Sequence, residues 1–218
     1  MMPTTVAIAD DHPIVLRGLS ALIDADPAFR VVATAADGGT ALEAIRAATP
    51  DIAVLDLNMP QRSGLSVLRE LRRLDLPTRT VVLAAAATDA EIYDILDAGA
   101  AGLMFKEAAT DQLLDCLHAV AAGGQWLPAE RTEGAATREA ARRGKWRRLS
   151  SRLTSREVQI VQLVIDGVTN KALAFRLQVS EGTAKVHLNN IFRKLEVGSR
   201  SELVELAGGQ AGEPQDAR

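Results

Sequence analysis

The sequence predicts a five-stranded parallel sheet wound on both faces by helices, an α/β doubly wound domain, followed by a small all-α helix-turn-helix domain. Three observations predict it. Short apolar runs alternate five times with stretches of helical periodicity across residues 1–123. Beyond residue 153 the periodicity is helical only, with cap residues marking short helices. The charge also changes sign along the chain: residues 1–125 hold 9 Lys and Arg against 17 Asp and Glu, a net −8, and residues 126–218 hold 16 against 11, a net +5. An acidic part joined to a basic part suggests two domains with different partners, the basic one suited to nucleic acid.

The first strand, Thr5–Ala9, ends in Asp10-Asp11, and Pro13 suits the first turn of the helix that follows. The cycle repeats with strand Arg30–Ala35, helix Thr40–Ala48, strand Ile52–Leu55 and helix Gly64–Leu74. It continues with strand Thr80–Ala84, helix Asp89–Ala98, strand Gly102–Phe105 and helix Thr110–Ala122. Runs as short and apolar as Ile52–Leu55 read as strands buried on both faces, joined by right-handed crossovers. The third run delivers Asp56 to the C-terminal edge of the sheet, where open α/β sheets bind ligands. Asp56 on its own would equally suit the opening of a turn. Asp10, Asp11 and Lys106, which follow other strands, belong at the same edge. Three close carboxylates repel one another unless a cation sits among them, and Mg²⁺ takes such oxygen ligands. A metal held by carboxylates, a Lys and one protruding Asp suit phosphoryl transfer to Asp.

Asp-Asp-His-Pro at 10–13, Asp-Leu-Asn-Met-Pro at 56–60 and Lys106, fifty residues after Asp56, resemble the receiver domain of two-component response regulators over about residues 1–123. The resemblance implies a flavodoxin-like sheet of order 2-1-3-4-5. It implies that Asp56 accepts a phosphoryl group and that Asp10, Asp11, Asp56 and the backbone carbonyl of Asn58 bind Mg²⁺. Lys106 would contact the phosphoryl oxygens. Two residues depart from the family pattern. The phosphoryl-binding position at the end of the fourth strand, usually Ser or Thr, is Ala84, and Thr88 is four residues too far along. The aromatic switch position three before the Lys is Leu103.

Residues 124–152 read as a linker, solvated and helical in part, with a basic run around Trp146 that could alternatively touch DNA phosphate. Thr154 and Glu157 form a capping box before an apolar face of Val158, Val161, Val164 and Ile165, and Gly167 ends that helix. Thr169 caps a short helix, Gln178–Ser180 turns, and Ser180 caps a third helix with Ala184, Leu188, Ile191 and Leu195 inward. Val186, Asn189 and Arg193 point the opposite way, flanked by Lys185 and Asn190. That arrangement is a helix-turn-helix. A fourth helix near 201–206 closes the bundle, and residues 208–218 read as a disordered tail.

Asn170-Lys171, Ser180–His187, Ile191–Leu195 and Ser199–Leu203 resemble the LuxR-type DNA-binding domain across 153–207. The resemblance places Lys185, Val186 and Asn189 in the major groove of double-stranded DNA. It places Lys171, Thr183, His187, Asn190 and Lys194 near phosphates, with helix packing as the other reading of His187. Lys can read guanine, Asn adenine, and Val a thymine methyl.

The whole chain is similar to NarL/FixJ-class response regulators. That implies a transcription regulator, not an enzyme beyond its own phosphorylation and dephosphorylation. A histidine kinase would act on Asp56, and the active form would be a homodimer. A regulator whose DNA binding ignores phosphate is the rival motivated by Ala84 and Leu103. An aspartate-nucleophile phosphatase is disfavoured because Asn58 stands where such hydrolases need a second Asp. One cysteine, Cys116, excludes an intramolecular disulfide, and no apolar run approaches the roughly 18 residues of a membrane span. No signal peptide is recognisable, so a cytoplasmic protein is expected.

Overall fold

The computed structural model describes residues 2–207, so the expected disordered tail lies outside the described residues. The chain forms two compact units that divide between Ala136 and Thr137. The first holds β1 (Thr4–Ala9), α1 (Pro13–Asp24), β2 (Phe29–Ala35), α2 (Gly38–Ala48), β3 (Ile52–Asp56) and α3 (Gly64–Arg73). It continues with β4 (Arg79–Ala84), α4 (Asp89–Asp97), β5 (Gly102–Phe105) and α5 (Lys106–Ala121). The five strands are parallel in the order β2-β1-β3-β4-β5.

Alternation along the strands builds a core on each face. Val6, Ile8, Ile52, Val54, Val81 and Leu83 face the helices α1 and α5, where Leu19, Ile23, Leu113 and Leu117 meet them. Ala53 and Leu55 point the other way, toward α2 and α3. Val82, Ala84, Leu103 and Phe105 join Ile92 and Ile95 of α4 in a third cluster. Strands buried on both faces carry no polar stripe, which is why they read in sequence as continuous apolar runs. At the expected position of the fifth helix the structure differs. The helix begins at Lys106, four residues before Thr110, so the Lys lies in its first turn.

The stretch 124–152, expected to be a linker, is mostly one helix, α6 (Ala129–Ser150). Its first turns belong to the sheet unit, where Ala135 is buried beside Leu103 and Phe105. Its last turns belong to the helical unit. There Leu149 is fully buried and Trp146 half-buried in the core. Few large apolar side chains mark this helix, because much of its anchoring is polar. The Arg142 guanidinium grips the buried Glu139 and donates to the carbonyls of Glu205 and Leu206, both at 3.0 Å. Arg142 and Arg143 hold the Glu139 carboxyl below the usual range against the opposing effect of burial.

The helical unit continues with α7 (Ser155–Ile165), α8 (Asn170–Leu177), α9 (Glu181–Leu195) and α10 (Arg200–Ala207). Thr154, Thr169 and Ser180 each accept a backbone N–H from the third helical residue that follows, which satisfies a donor left without an intrahelical partner. Gln178 turns the chain between α8 and α9 in the left-handed region, at φ 57°. Arg200 donates to the carbonyls of Val164 and Val168, tying α10 to the end of α7. The inward face of α7 is shifted from expectation. Ile160, Val161 and Val164 are buried and Val158 is 42% exposed. The expected face of Val158, Val161, Val164 and Ile165 left out Ile160, which is buried, while Ile165 is half-buried.

Candidate functional site

The strand register assembles the acidic pocket. Ala9 pairs with Leu55 across β1 and β3, so the next residues, Asp10 and Asp56, emerge side by side. Ala84 pairs with Phe105 across β4 and β5, which brings Lys106 to the same edge. Gly64 opens α3 so close to β3 that an added Cβ would lie 2.2 Å from the Asp56 carbonyl oxygen. A side chain there would push apart the strand end and the helix behind it.

Lys106 Nζ donates to Asp10 Oδ2 at 2.6 Å and lies 3.0 Å from Asp56 Oδ1. Asp10 and Asp56 are buried and Asp11 is half-buried. Burial pushes the Asp56 carboxyl up, Lys106 pulls it down by hydrogen bond and charge, and Asp10 and Asp11 add to the rise, so the net shift is upward. Burial also works against the charged Lys106, but the bonds to Asp10 and Asp56 outweigh it and raise the ammonium's pKa. Asp11 Oδ1 is buried with no hydrogen-bond partner. His12 Nδ1 is 2.8 Å away but lacks hydrogen-bond alignment. One ligand atom from each of Asp10, Asp11, His12 and Asp56 lies within 4.8 Å of the others. His12 was not among the expected ligands, although it stands in the same Asp-Asp-His-Pro run. Asn58 is exposed two residues past Asp56.

Ala84 and Leu103 are both fully buried among apolar side chains. Thr88, the nearest downstream hydroxyl, is occupied at the start of α4, where it bonds Glu91 in a capping box. β4 thus ends at Ala84 without a hydroxyl, and the Thr88 hydroxyl is engaged at the start of α4.

On the helical unit, α9 exposes Thr183, Lys185, Val186, Asn189 and Arg193. Val186 is 58% exposed, an apolar residue left in water on an otherwise polar face. Lys171 is exposed on α8, and His187 and Asn190 are half-buried. Lys194, expected near phosphate, is half-buried and donates to both oxygens of Glu157, at 2.7 and 2.8 Å. That pair ties α9 to the cap of α7. The resemblance alone pointed to Lys194, and its partner here is 37 residues away in the chain.

Residues 6–118 match the family described as response regulator receiver domain, and residues 151–207 match the bacterial regulatory proteins of the luxR family. The chain is a response regulator with a LuxR-type DNA-binding domain. This regulator is 36% identical to the nitrate/nitrite response regulator protein NarL of Escherichia coli K12 over 200 residues, 92% of this chain and 93% of the relative. It is 32% identical over 203 residues to a probable transcriptional regulatory protein NarL of Mycobacterium tuberculosis, 91% of each chain. Among solved structures it resembles the response regulator ChrA of a heme-sensing two-component system. That match has 30% identity and a TM-score of 0.54, and covers 96% of this regulator and 98% of ChrA. The regulator is thus a two-component transcription regulator, and among its described residues no helix is long and apolar enough to cross a membrane.

Proposed function

We propose that Asp56 is the phosphoacceptor of a switch that controls DNA binding by the helical unit. The observation that carries this reading is the convergence of Asp10, Asp11 and Asp56 with Lys106 at the C-terminal edge of the sheet. A carboxylate oxygen of Asp56 attacks the phosphorus of a phosphohistidine on a partner histidine kinase. The P–O bond of an acyl phosphate forms as the P–N bond breaks, and the histidine nitrogen leaves with the electron pair. Lys106, already at the Asp56 carboxylate, offsets charge on the phosphoryl oxygens. Asp10, Asp11, Asp56 and the carbonyl of Asn58 would hold Mg²⁺, and the unpartnered buried oxygen of Asp11 fits a hard cation. When bound, the ion supplies positive charge against the phosphoryl oxygens.

Phosphorylation then shifts an equilibrium toward a homodimer that binds DNA. The protein works in the cytoplasm, where DNA is, and turns over no substrate beyond its own acyl phosphate. Lys185, Val186 and Asn189 enter the major groove, while Lys171, Thr183, His187 and Asn190 lie at phosphates. Lys194 serves the α7–α9 contact. Lys185→Ala is expected to cost about 1–3 kcal/mol on a specific site selected from random DNA, and much less on non-specific DNA. Lys171→Ala should weaken both evenly, because phosphate contacts carry no sequence information. Titrations at fixed salt decide, and an even loss for Lys185→Ala would place that residue on the backbone.

The phosphoacceptor is tested by intact-mass spectrometry after incubation with Mg²⁺ and a small phosphodonor. The native protein should gain one phosphoryl group and Asp56→Ala none. An equal adduct in the variant would move the acceptor elsewhere.

A further inference from the structure

We propose that Arg131 is a positioning residue for Lys106, clamping the chain on both sides of it from the first turn of α6. The inference rests on the reading of Asp56 as phosphoacceptor. Lys106 reaches the pocket from the junction of β5 and α5, and its ammonium meets the carboxylates of Asp10 and Asp56. Its placement therefore depends on how firmly that junction is held. Arg131 holds it twice. Its guanidinium carbon lies 4.0 Å from the centre of the Phe105 ring, and its Nη1 lies 3.6 Å from Glu107 Oε1. These are the two residues that flank Lys106.

Arg131 is itself anchored. Trp126 runs along the outer edge of β5, accepting from Leu103 N–H and donating to the Ala101 carbonyl, both at 2.9 Å. Ala135, one helical turn beyond Arg131, is 1% exposed in the cluster that contains Phe105. Thr132 Oγ1 donates to the Pro128 carbonyl at 3.1 Å. The Glu107 pair is solvent-exposed and contributes little, so the stack on the buried Phe105 is the larger restraint. A charged group held ready at the position where phosphoryl charge develops does not have to be reorganised during transfer. The clamp also works in reverse. If α6 steadies Lys106, then phosphate drawing on Lys106 steadies the first turn of α6. This route to the surface uses neither a hydroxyl at position 84 nor an aromatic ring at 103.

The test measures the rate of phosphoryl labelling in the full chain by intact mass, Mg²⁺ affinity by calorimetry, and Tm. Arg131→Ala should label about two- to fivefold more slowly than native, the loss expected for one cation–π contact at a partly exposed site. Its Mg²⁺ affinity should be unchanged. Arg131→Lys should recover part of the rate. Phe105→Leu should be slow by itself and should add little to Arg131→Ala, since both remove one contact. Glu130→Ala, on the same exposed turn, should label like native. Phosphorylation should protect the amides of residues 129–135 from hydrogen exchange in the native protein and not in Arg131→Ala. Native labelling with an unchanged rate in Arg131→Ala overturns the clamp alone. Parallel losses of rate, Mg²⁺ affinity and Tm overturn it too, because they would make Arg131 a general packing residue. A native protein that takes no phosphate overturns the reading of Asp56, and the clamp with it.

Discussion

Leu149→Ala in the full chain is expected to destabilise the helical unit by about 2–5 kcal/mol, while the unfolding of the sheet unit stays where it was. Leu149 is fully enclosed by the core that Ile160, Val161, Leu188 and Ile191 build. Truncation leaves a void that packed helices fill only in part. Arg142→Ala should add a separate loss of about 1–3 kcal/mol, because it leaves the buried Glu139 carboxylate with Arg143 alone and uncovers the last carbonyls of α10. A small domain has a total stability of only about 5–15 kcal/mol, so the pair should leave the helical unit near its midpoint at ordinary temperature. Denaturant titrations with a probe in each unit would show this. An unshifted transition in Leu149→Ala would mean that the C-terminal half of α6 is an appendage and that the DNA-binding unit begins near residue 153. The proposed boundary is near residue 137, with α6 as a working part of the fold.

Ala84→Thr is expected to act with opposite sign in the two forms of the protein. With Asp56 unmodified, a new hydroxyl enters a buried site in the cluster of Val82, Leu103 and Ile92 and costs about 1–3 kcal/mol if it finds no partner. With a phosphoryl group on Asp56, the same hydroxyl gains a charged acceptor, a bond of about 1.5–3 kcal/mol. A ligand moves an equilibrium only by its differential contacts with the two states. The ratio of DNA affinities between phosphorylated and free protein should therefore widen about tenfold in the variant, at matched occupancy. If the native protein already responds fully and Ala84→Thr changes nothing, the missing hydroxyl has no bearing on the switch.

What the sequence made legible follows from periodicity and from abrupt changes of chemistry. Apolar runs ending in Asp10, Asp56 and Lys106 named the strands, their direction and the edge where charge collects. The caps Thr154, Thr169 and Ser180 named the helix starts, because a side chain that bonds its own helix leaves a local mark. Long-range polar pairing leaves no such mark. Residues 129–150 looked like a linker because Glu139, Arg142 and Ala135 do their packing without a periodic stripe of large apolar side chains. Lys194 looked free because Glu157 is distant in the chain. Arg131 was invisible for the same reason, since its partners precede it by 24 and 26 residues. On α7 the expected face included Val158, which is exposed, and left out Ile160, two residues on and nearly opposite, which is buried.

In the proposed switch the state of Asp56 sets the affinity of α9 for DNA. The most direct measurement is a DNA titration at fixed salt, on a site selected from a random pool, of native protein and Asp56→Ala with and without Mg²⁺ and a small phosphodonor. The phosphodonor should tighten binding by the native protein and leave Asp56→Ala unmoved at the affinity of the free form. Equal affinity in all four samples would contradict it and would make this a regulator whose DNA binding takes no instruction from the acidic pocket.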